Sequence, residues 1–532
     1  MSQNDHIVQV DDNVTPAKLS FTDTFNVTFP LLDRNLAEGR GDRVVVRWRD
    51  RELTFGQLAD NVFRMANAFR RLGVEPGERV MLLVKDVPGF YYGFLAAIRI
   101  GAIPIPVNYF LRGHDYTYML SDSAAKVVMA SPDVLGEIIP AIESNEKKVA
   151  VKIVVEGEQD GWLQLDDLLS GEETAADPEP TGPETDCFWL YSSGSTGDPK
   201  ASVHQHKDMI YTSQYYGIGT IGLKESSVGF SPPKAFFAYG LGNSVSFPLW
   251  TGSTIILLEE RPTPENTLEI MNTMKPTHYY GVPTLYAAQL QLLENGYEAD
   301  LSSIEFCASG GEALPPALYE RWLEFTGLEI IDSIGSSEVL HFYTSNKPGN
   351  VKLGTAGPIV PGYEGRIVDA QGNEIPDGEI GELAIKGEST AAYYWNKPEK
   401  TAAAMRDGWF HTGDTCYRDE DGFYVFCGRD SDMLKVGGIW VSPVEVESAL
   451  IEHSAVLEAA VTGAPDDEQL IKPKAFVVLK EPKDASPELE HELREFIRTR
   501  LAPFKYPRWI EFMDELPKTS SGKIQRFRLR SM

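Results

Sequence analysis

A chain of 532 residues with 42% hydrophobic and 24% charged content carries enough apolar material for a large core and more than one domain. Its net charge of -29 excludes a general nucleic-acid or anionic-membrane surface, because phosphate recognition needs a basic footprint. The four cysteines, Cys187, Cys307, Cys416 and Cys427, form no C-x-x-C pair, so neither a zinc site nor a disulfide framework is indicated, and reduced thiols in a cytoplasmic setting are expected. The first fourteen residues are polar and acidic, unlike a signal peptide. From Thr54, "TFGQLADNVFRMANAFRRLG" opens with a capping box, repeats Leu58, Val62, Met65, Phe69 and Leu72 at helical spacing, and stops at Gly73. The greasy stretch from Gly89 contains Arg99 and two prolines, and predicts a buried helix running into a strand rather than a membrane span.

Short apolar runs then recur as "AKVVMAS", "KIVVEG", "STIILLEE", "THYYGVP" and "IEFCASGG", separated by lengths that suit helices or crossovers. This predicts an α/β fold with parallel-rich sheets flanked by helices. Residues 171–186, acidic and proline-bearing, predict a surface loop feeding a strand. After about residue 350, Asp-Gly punctuation in segments such as "DEDGFYVFCGRD" predicts antiparallel hairpins, a β-barrel-like part of the large domain. Past Arg429 a small α/β unit is expected, with a helix striped by Leu489, Leu493, Phe496, Ile497 and Leu501. The expected division is a large domain over 1–429 and a small, mobile C-terminal domain over 430–532.

The segment "YSSGSTGDPK", Tyr191 to Lys200, follows an apolar run and offers backbone amides, small hydroxyls and one lysine, the requirements of a triphosphate cradle. It lacks the Gly-Lys-Ser/Thr of a Walker A loop. A second pattern, "GIGTIG" at 217–222, matches G-x-G-x-x-G, but a helix rather than a strand is expected before it, which argues against a dinucleotide site and its oxidoreductase chemistry.

Five motifs occur in order: "YSSGSTGDPK", "IGSSE" (334–338), "WFHTGD" (409–414), "GRDSDMLKVGG" (428–438) and "PKTSSGKIQR" (517–526). Together they resemble the acyl-adenylate-forming superfamily of acyl- and aryl-CoA ligases, adenylation domains and luciferases, over nearly the whole chain. "KAFFAYGLGN", "GVPTLYA" and "IGSSEVLHFYTSN" are most similar to benzoate-CoA ligases. The resemblance implies a carboxylate attacking the α-phosphate of ATP to give acyl-AMP and diphosphate, followed by attack of coenzyme A. Mg²⁺, ATP and coenzyme A are the implied cofactor and co-substrates, and an aryl carboxylate the substrate. A hydroxybenzoate, aminobenzoate or cyclic aliphatic acid is the alternative. No nucleic-acid or membrane partner is expected, and the chain is expected to act as a monomer or homodimer.

The resemblance also implies roles. Lys523 bridges the substrate carboxylate and the α-phosphate. Thr196 and Glu338 hold Mg²⁺, a hard cation for which one carboxylate suffices. Ser192, Ser193, Gly194, Ser195, Thr196, Gly197 and Lys200 cradle phosphates, with Ser337 beside them. Gly311, Glu312 and Asp332 grip adenine; Asp414 accepts the ribose hydroxyls, and Arg429 assists it. Ala238, Tyr239, Gly240 and His341 line the acyl pocket, where aromatics and small residues suit a flat ring. Lys435, Gly437 and Gly438 face coenzyme A, and the hinge lies at Asp430 and Ser431, or at Asp432. Three departures stand out: Ile334 where many relatives carry a stacking tyrosine, Ala201 for the usual glycine, and Ser431 for the usual Asp or Lys at the hinge.

Overall fold

The computed structural model describes residues 5–145, 149–192, 198–429, 432–436, 439–466, 470–502, 504–518, 524–530 and 532. Thr54 caps the helix Phe55–Arg71 as its sequence predicts: its hydroxyl accepts from the Gln57 backbone, and the Gln57 side chain accepts from the Thr54 backbone. Such caps contribute about 1 kcal/mol. Leu58, Val62, Met65 and Phe69 are buried along one face, and Gly73 leaves the helix with φ 77°. The greasy stretch forms the buried helix Pro88–Arg99 and then the strand Ile103–Pro106. No described helix is long and apolar enough to cross a membrane.

Two parallel-rich sheets build the large domain. One is all parallel, in the order Ile103–Pro106, Arg79–Leu83, Val127–Ala130, Val151–Val154 and Leu163–Gln164. The other has eight strands, ordered Phe342–Ser345, Ile330–Gly335, Phe306–Gly310, His278–Tyr280, Val228–Phe230, Thr254–Leu257, Val44–Trp48 and Arg51–Thr54. Its inner pairs are parallel and both edge strands antiparallel. Strands covered on both faces need to be apolar throughout, which is why "VVMA" and "TIIL" do not alternate. In such sheets the loops at the carboxyl ends of parallel strands are where ligands are held. The loops after Phe306–Gly310 and Ile330–Gly335 are of that kind.

The hairpin texture after residue 350 becomes an antiparallel sheet of Glu364–Val368, Gly381–Lys386, Met405–Arg406, Trp409–Arg418 and Tyr424–Arg429. "GIGTIG" begins inside a π-helical turn, Ser213–Ile218, that continues the helix Asp208–Thr212, and so has no strand before it.

The C-terminal unit is smaller. Val456–Pro465 and Ile471–Leu479 pair antiparallel, Trp509–Phe512 joins in parallel, and the helices Pro443–Ile451 and Pro487–Arg498 pack against them. Leu489, Leu493 and Ile497 are buried, each worth roughly 1.5–3 kcal/mol, while Phe496 and Leu501 are half-buried against the same cluster. Ser442 joins the unit to the large domain: its hydroxyl donates to the Cys427 carbonyl and accepts from the Glu445 backbone.

Candidate active site

Strands Asp186–Ser192 and Lys200–Gln205 are the two arms of the hydroxyl-rich loop, and Ser192 and Lys200 face each other across the ladder. Ser193, Gly194, Ser195, Thr196 and Gly197 lie outside the described residues. The Ser192 hydroxyl is buried and has no hydrogen-bond partner among the described residues. The structure holds Lys200 in place: Nζ lies 2.9 Å from Glu338 Oε1 and 2.7 Å from the Tyr394 hydroxyl. That hydroxyl donates in turn to Glu338 Oε1 at 2.8 Å. Burial pushes the Glu338 carboxyl up, but Lys200 and the Tyr394 hydroxyl outweigh it and hold the group below the usual carboxylate range. The Glu338 carboxyl is therefore ionised.

The turn that carries Glu338 is clamped from several sides. The Ala391 backbone donates to the Glu338 carbonyl at 2.7 Å, and the Ser389 hydroxyl to the Val339 carbonyl at 2.8 Å. His204 Nε2 lies 2.8 Å from the Ser337 carbonyl, which only accepts, so Nε2 carries a hydrogen. Asp208, fully buried, meets His204 Nδ1 at 2.9 Å. Leu340 sits at φ 71°, a conformation costly for a branched side chain, and this sharp bend lets Glu338 and His341 serve different neighbours three residues apart. Sequence reasoning did not single out Tyr394, His204 or Asp208. The first lies within "AAYYWNK", whose aromatic cluster was the sole signal; the His-x-x-x-Asp spacing of the other two is a helix-start pattern with many uses.

Asp414 and Arg429 are direct partners in the antiparallel ladder, with Arg429 Nε 2.8 Å from Asp414 Oδ1. Arg429 also donates to the Thr412 carbonyl at 2.8 Å, and the Tyr343 hydroxyl reaches Asp414 Oδ2 at 3.4 Å. Gly311, at φ 86°, and Glu312 follow the strand Phe306–Gly310, beside Asp332 on the neighbouring strand. A Cβ on Gly310 would lie 2.3 Å from the Phe342 ring, so backbone and ring meet directly there. Asp332 Oδ2 accepts from the Leu314 backbone at 3.4 Å, and burial raises its carboxyl to about 7. Ile334, half-buried, presents an aliphatic side chain.

Tyr239 packs against Phe342, His341 and Tyr280, with ring centroids 4.7, 5.6 and 6.4 Å apart. His341 also meets Phe247 at 4.6 Å and Tyr216 at 4.8 Å. Burial lowers the His341 imidazole to about 3, so the ring is neutral, and its Nε2 donates to the Asn243 side-chain oxygen at 3.2 Å. Ala238 is buried at the start of the helical turn Ala238–Leu241. At Gly240 a Cβ would lie 2.1 Å from the Lys234 carbonyl, so this glycine lets two stretches of backbone meet closely. The glycine against the His341 ring is Gly242, where a Cβ would lie 2.4 Å from Cδ2.

Beneath this loop, Lys234 and Asp86 are both buried, with Nζ 3.8 Å from Oδ2. The ammonium also donates to the Leu258 carbonyl and, at 2.8 Å, to the Glu260 carbonyl, while Asp86 accepts from the Ala235 backbone at 3.2 Å. Burial drives each group toward its neutral form, Asp86 upward and Lys234 downward.

In the C-terminal unit, Lys435 is exposed on the hairpin Leu434–Val436 and Ile439–Val441. Asp430, Ser431, Gly437, Gly438 and Lys523 lie outside the described residues. The residues flanking Lys523 are anchored: Lys518 and Ile524 form an antiparallel bridge, and Arg526 pairs with Glu447 at 2.8 Å. No group of three or more His, Cys, Asp or Glu side chains suited to a metal occurs among the described residues. The donor set at Glu338, one ionised carboxylate, suits a hard cation that keeps water and phosphate oxygens as its remaining ligands.

Residues 33–395 match the AMP-binding enzyme family and residues 445–523 its C-terminal domain. A benzoate--CoA ligase of Thauera aromatica is 46% identical over 523 residues, 98% of either chain. A 4-hydroxybenzoate--CoA/benzoate--CoA ligase of Rhodopseudomonas palustris is 42% identical, over 96% of this chain and 94% of its own. Among solved structures, the anthranilate CoA ligase AuaEII in complex with anthranoyl-AMP superposes with a TM-score of 0.92 at 41% identity, over 96% of this chain and 98% of its own. With both its larger and its C-terminal part matched, the chain belongs to the AMP-binding enzyme family.

Proposed function

We propose that this ATP-dependent acid–thiol ligase joins benzoate to coenzyme A through benzoyl-AMP. The observation that carries the reading is the neutral aromatic cluster of Tyr239, His341, Phe342 and Phe247, of which His341 lies three residues along the chain from Glu338. Aromatic faces of this kind suit a flat, uncharged ring better than a long flexible chain. The benzoate--CoA ligase of Thauera aromatica supports the same reading. A ring bearing a small polar substituent is the second reading, favoured by the likeness to the anthranilate CoA ligase.

The first step brings two anions together, so catalysis is electrostatic and positional and needs no general base. In this reading Lys523 bridges the benzoate carboxylate and the α-phosphate, and Lys200 and the amides of 193–197 hold the β- and γ-phosphates. Glu338, with Thr196, would hold Mg²⁺, which supplies charge neutralisation to the phosphate oxygens. Asp414 receives the ribose hydroxyls, with Arg429 as its fixed partner. Gly311, Glu312 and Asp332 border the adenine, against the aliphatic Ile334. Oxygen of benzoate then displaces diphosphate. A boundary at 429/430 would let the small domain turn and bring Lys435, Gly437 and Gly438 to the thiol of coenzyme A, which releases AMP.

A panel of carboxylic acids assayed for diphosphate release, with and without coenzyme A, tests the reading. Benzoate is expected to give the highest kcat/KM. A clear preference for an aliphatic acid, or no ATP–diphosphate exchange with any aromatic acid, would overturn it.

A further inference from the structure

We infer that Tyr394 is a positioning residue for the triphosphate end of the site, holding Glu338 in place when Lys200 leaves it for phosphate. This rests on the reading above, in which Lys200 and Glu338 serve the nucleotide. The three groups close a triangle: Lys200 to Glu338 at 2.9 Å, Lys200 to the hydroxyl at 2.7 Å, and hydroxyl to Glu338 at 2.8 Å. A phenol has one hydrogen to give and lone pairs to receive, so Tyr394 serves both charged partners at once. Its ring is 2% exposed, and the Lys200 ammonium lies 4.2 Å from the ring centroid.

The backbone fixes where this hydroxyl points. Tyr394 pairs with Ser202 on the strand that begins at Lys200, and its amide donates to the Thr401 hydroxyl at 3.0 Å. Three residues earlier the same segment donates from Ala391 to the Glu338 carbonyl. One short segment therefore grips both the strand of Lys200 and the turn of Glu338.

The physical need follows from the burial of Glu338. When Lys200 turns to a phosphate, a carboxylate with 7% exposure loses its counter-charge. An uncompensated buried charge is strongly unfavourable. The hydroxyl of Tyr394 stays bonded to Oε1 throughout, which offsets part of that cost. Without the hydroxyl, Lys200 is held back on Glu338 and nucleotide binding weakens.

The test compares Tyr394→Phe with the unaltered enzyme. ATP affinity is measured by calorimetry without acid substrate, with magnesium and with chelator, and kinetics are measured for ATP and benzoate separately. Loss of a hydrogen bond to a charged group predicts about a tenfold weaker magnesium–ATP affinity and a similar rise in KM for ATP. The KM for benzoate, and thioester formation from supplied benzoyl-AMP, stay within about twofold; the latter also shows that the variant is folded. In a Lys200→Met background the substitution should have little further effect on ATP, because the two residues act together. Unchanged ATP affinity, an equal rise in both KM values, or full additivity with Lys200→Met would overturn the inference. Absence of ATP–diphosphate exchange in the unaltered enzyme would instead strike the functional reading.

Discussion

The two ends of the candidate site are built on opposite principles. At the nucleotide end, charges that belong to the ligand's reception are already neutralised against each other: Lys200 by Glu338 and Arg429 by Asp414. At the acyl end there is no such pairing; Tyr239, Phe342, Phe247 and a neutral His341 meet ring to ring. The first end stakes large energies on exchanging partners, and the second small ones on shape. An apolar pocket distinguishes one methyl-sized change by only about 1–3 kcal/mol.

The sharpest way to break this contrast is at the lysine proposed to bridge the two ends. Lys523→Ala is expected to slow benzoyl-AMP formation a thousandfold or more, about 4 kcal/mol, while supplied benzoyl-AMP still yields thioester at close to the original rate. Single-turnover measurement of each step checks it, and equal losses in both would assign Lys523 a structural role instead.

Asp332 sharpens the nucleotide side. Its carboxyl titrates at about 7 in the folded protein, against 3.8 in the unfolded reference. The folded state thus holds a proton between those values that the unfolded chain releases. The stability this group contributes is present at low pH and is lost as pH rises toward 7. Relative to the unaltered protein, Asp332→Asn should therefore gain stability between pH 4 and 7, by up to about 4 kcal/mol. Denaturant unfolding of both proteins across that range reads the difference, and a constant gap would refute the assignment.

The smallest effect is expected at the acyl end. Gly242→Ala places a Cβ against the His341 ring, where an ideal atom would lie 2.4 Å from Cδ2. Overpacking of this size predicts about a tenfold rise in the KM for benzoate with ATP kinetics unchanged. Steady-state kinetics with each substrate varied in turn would show it, and an equal rise for ATP would mean that the two ends are not independent.

Much of this architecture is legible in the sequence because local rules agree with the fold. The Thr54 and Gln57 capping box, the Leu489 stripe and the apolar strands all declare themselves over a few residues. The five ordered motifs supplied the family and most candidate residues. What escaped is long-range: Lys200 and Tyr394 are 194 residues apart in sequence, and Tyr394 and Glu338 are 56 apart. A tyrosine in an aromatic cluster gives no sign of which charged groups it will meet. The π-helical turns at Ser213–Ile218 and Gly242–Ser246 were equally hidden, since their residues fit an ordinary helix pattern.

The Lys234 and Asp86 pair under the aromatic loop bears on attempts to re-aim this ligase at bulkier acids. Cutting such a pair from one side strands the other charge, a change that costs about 3–5 kcal/mol. Engineers altering the aromatic cluster should therefore spare this foundation and vary Gly242, His341 and Phe247 instead. Libraries that randomise "PPKAFFAYG" wholesale would spend most of their members on collapsed loops.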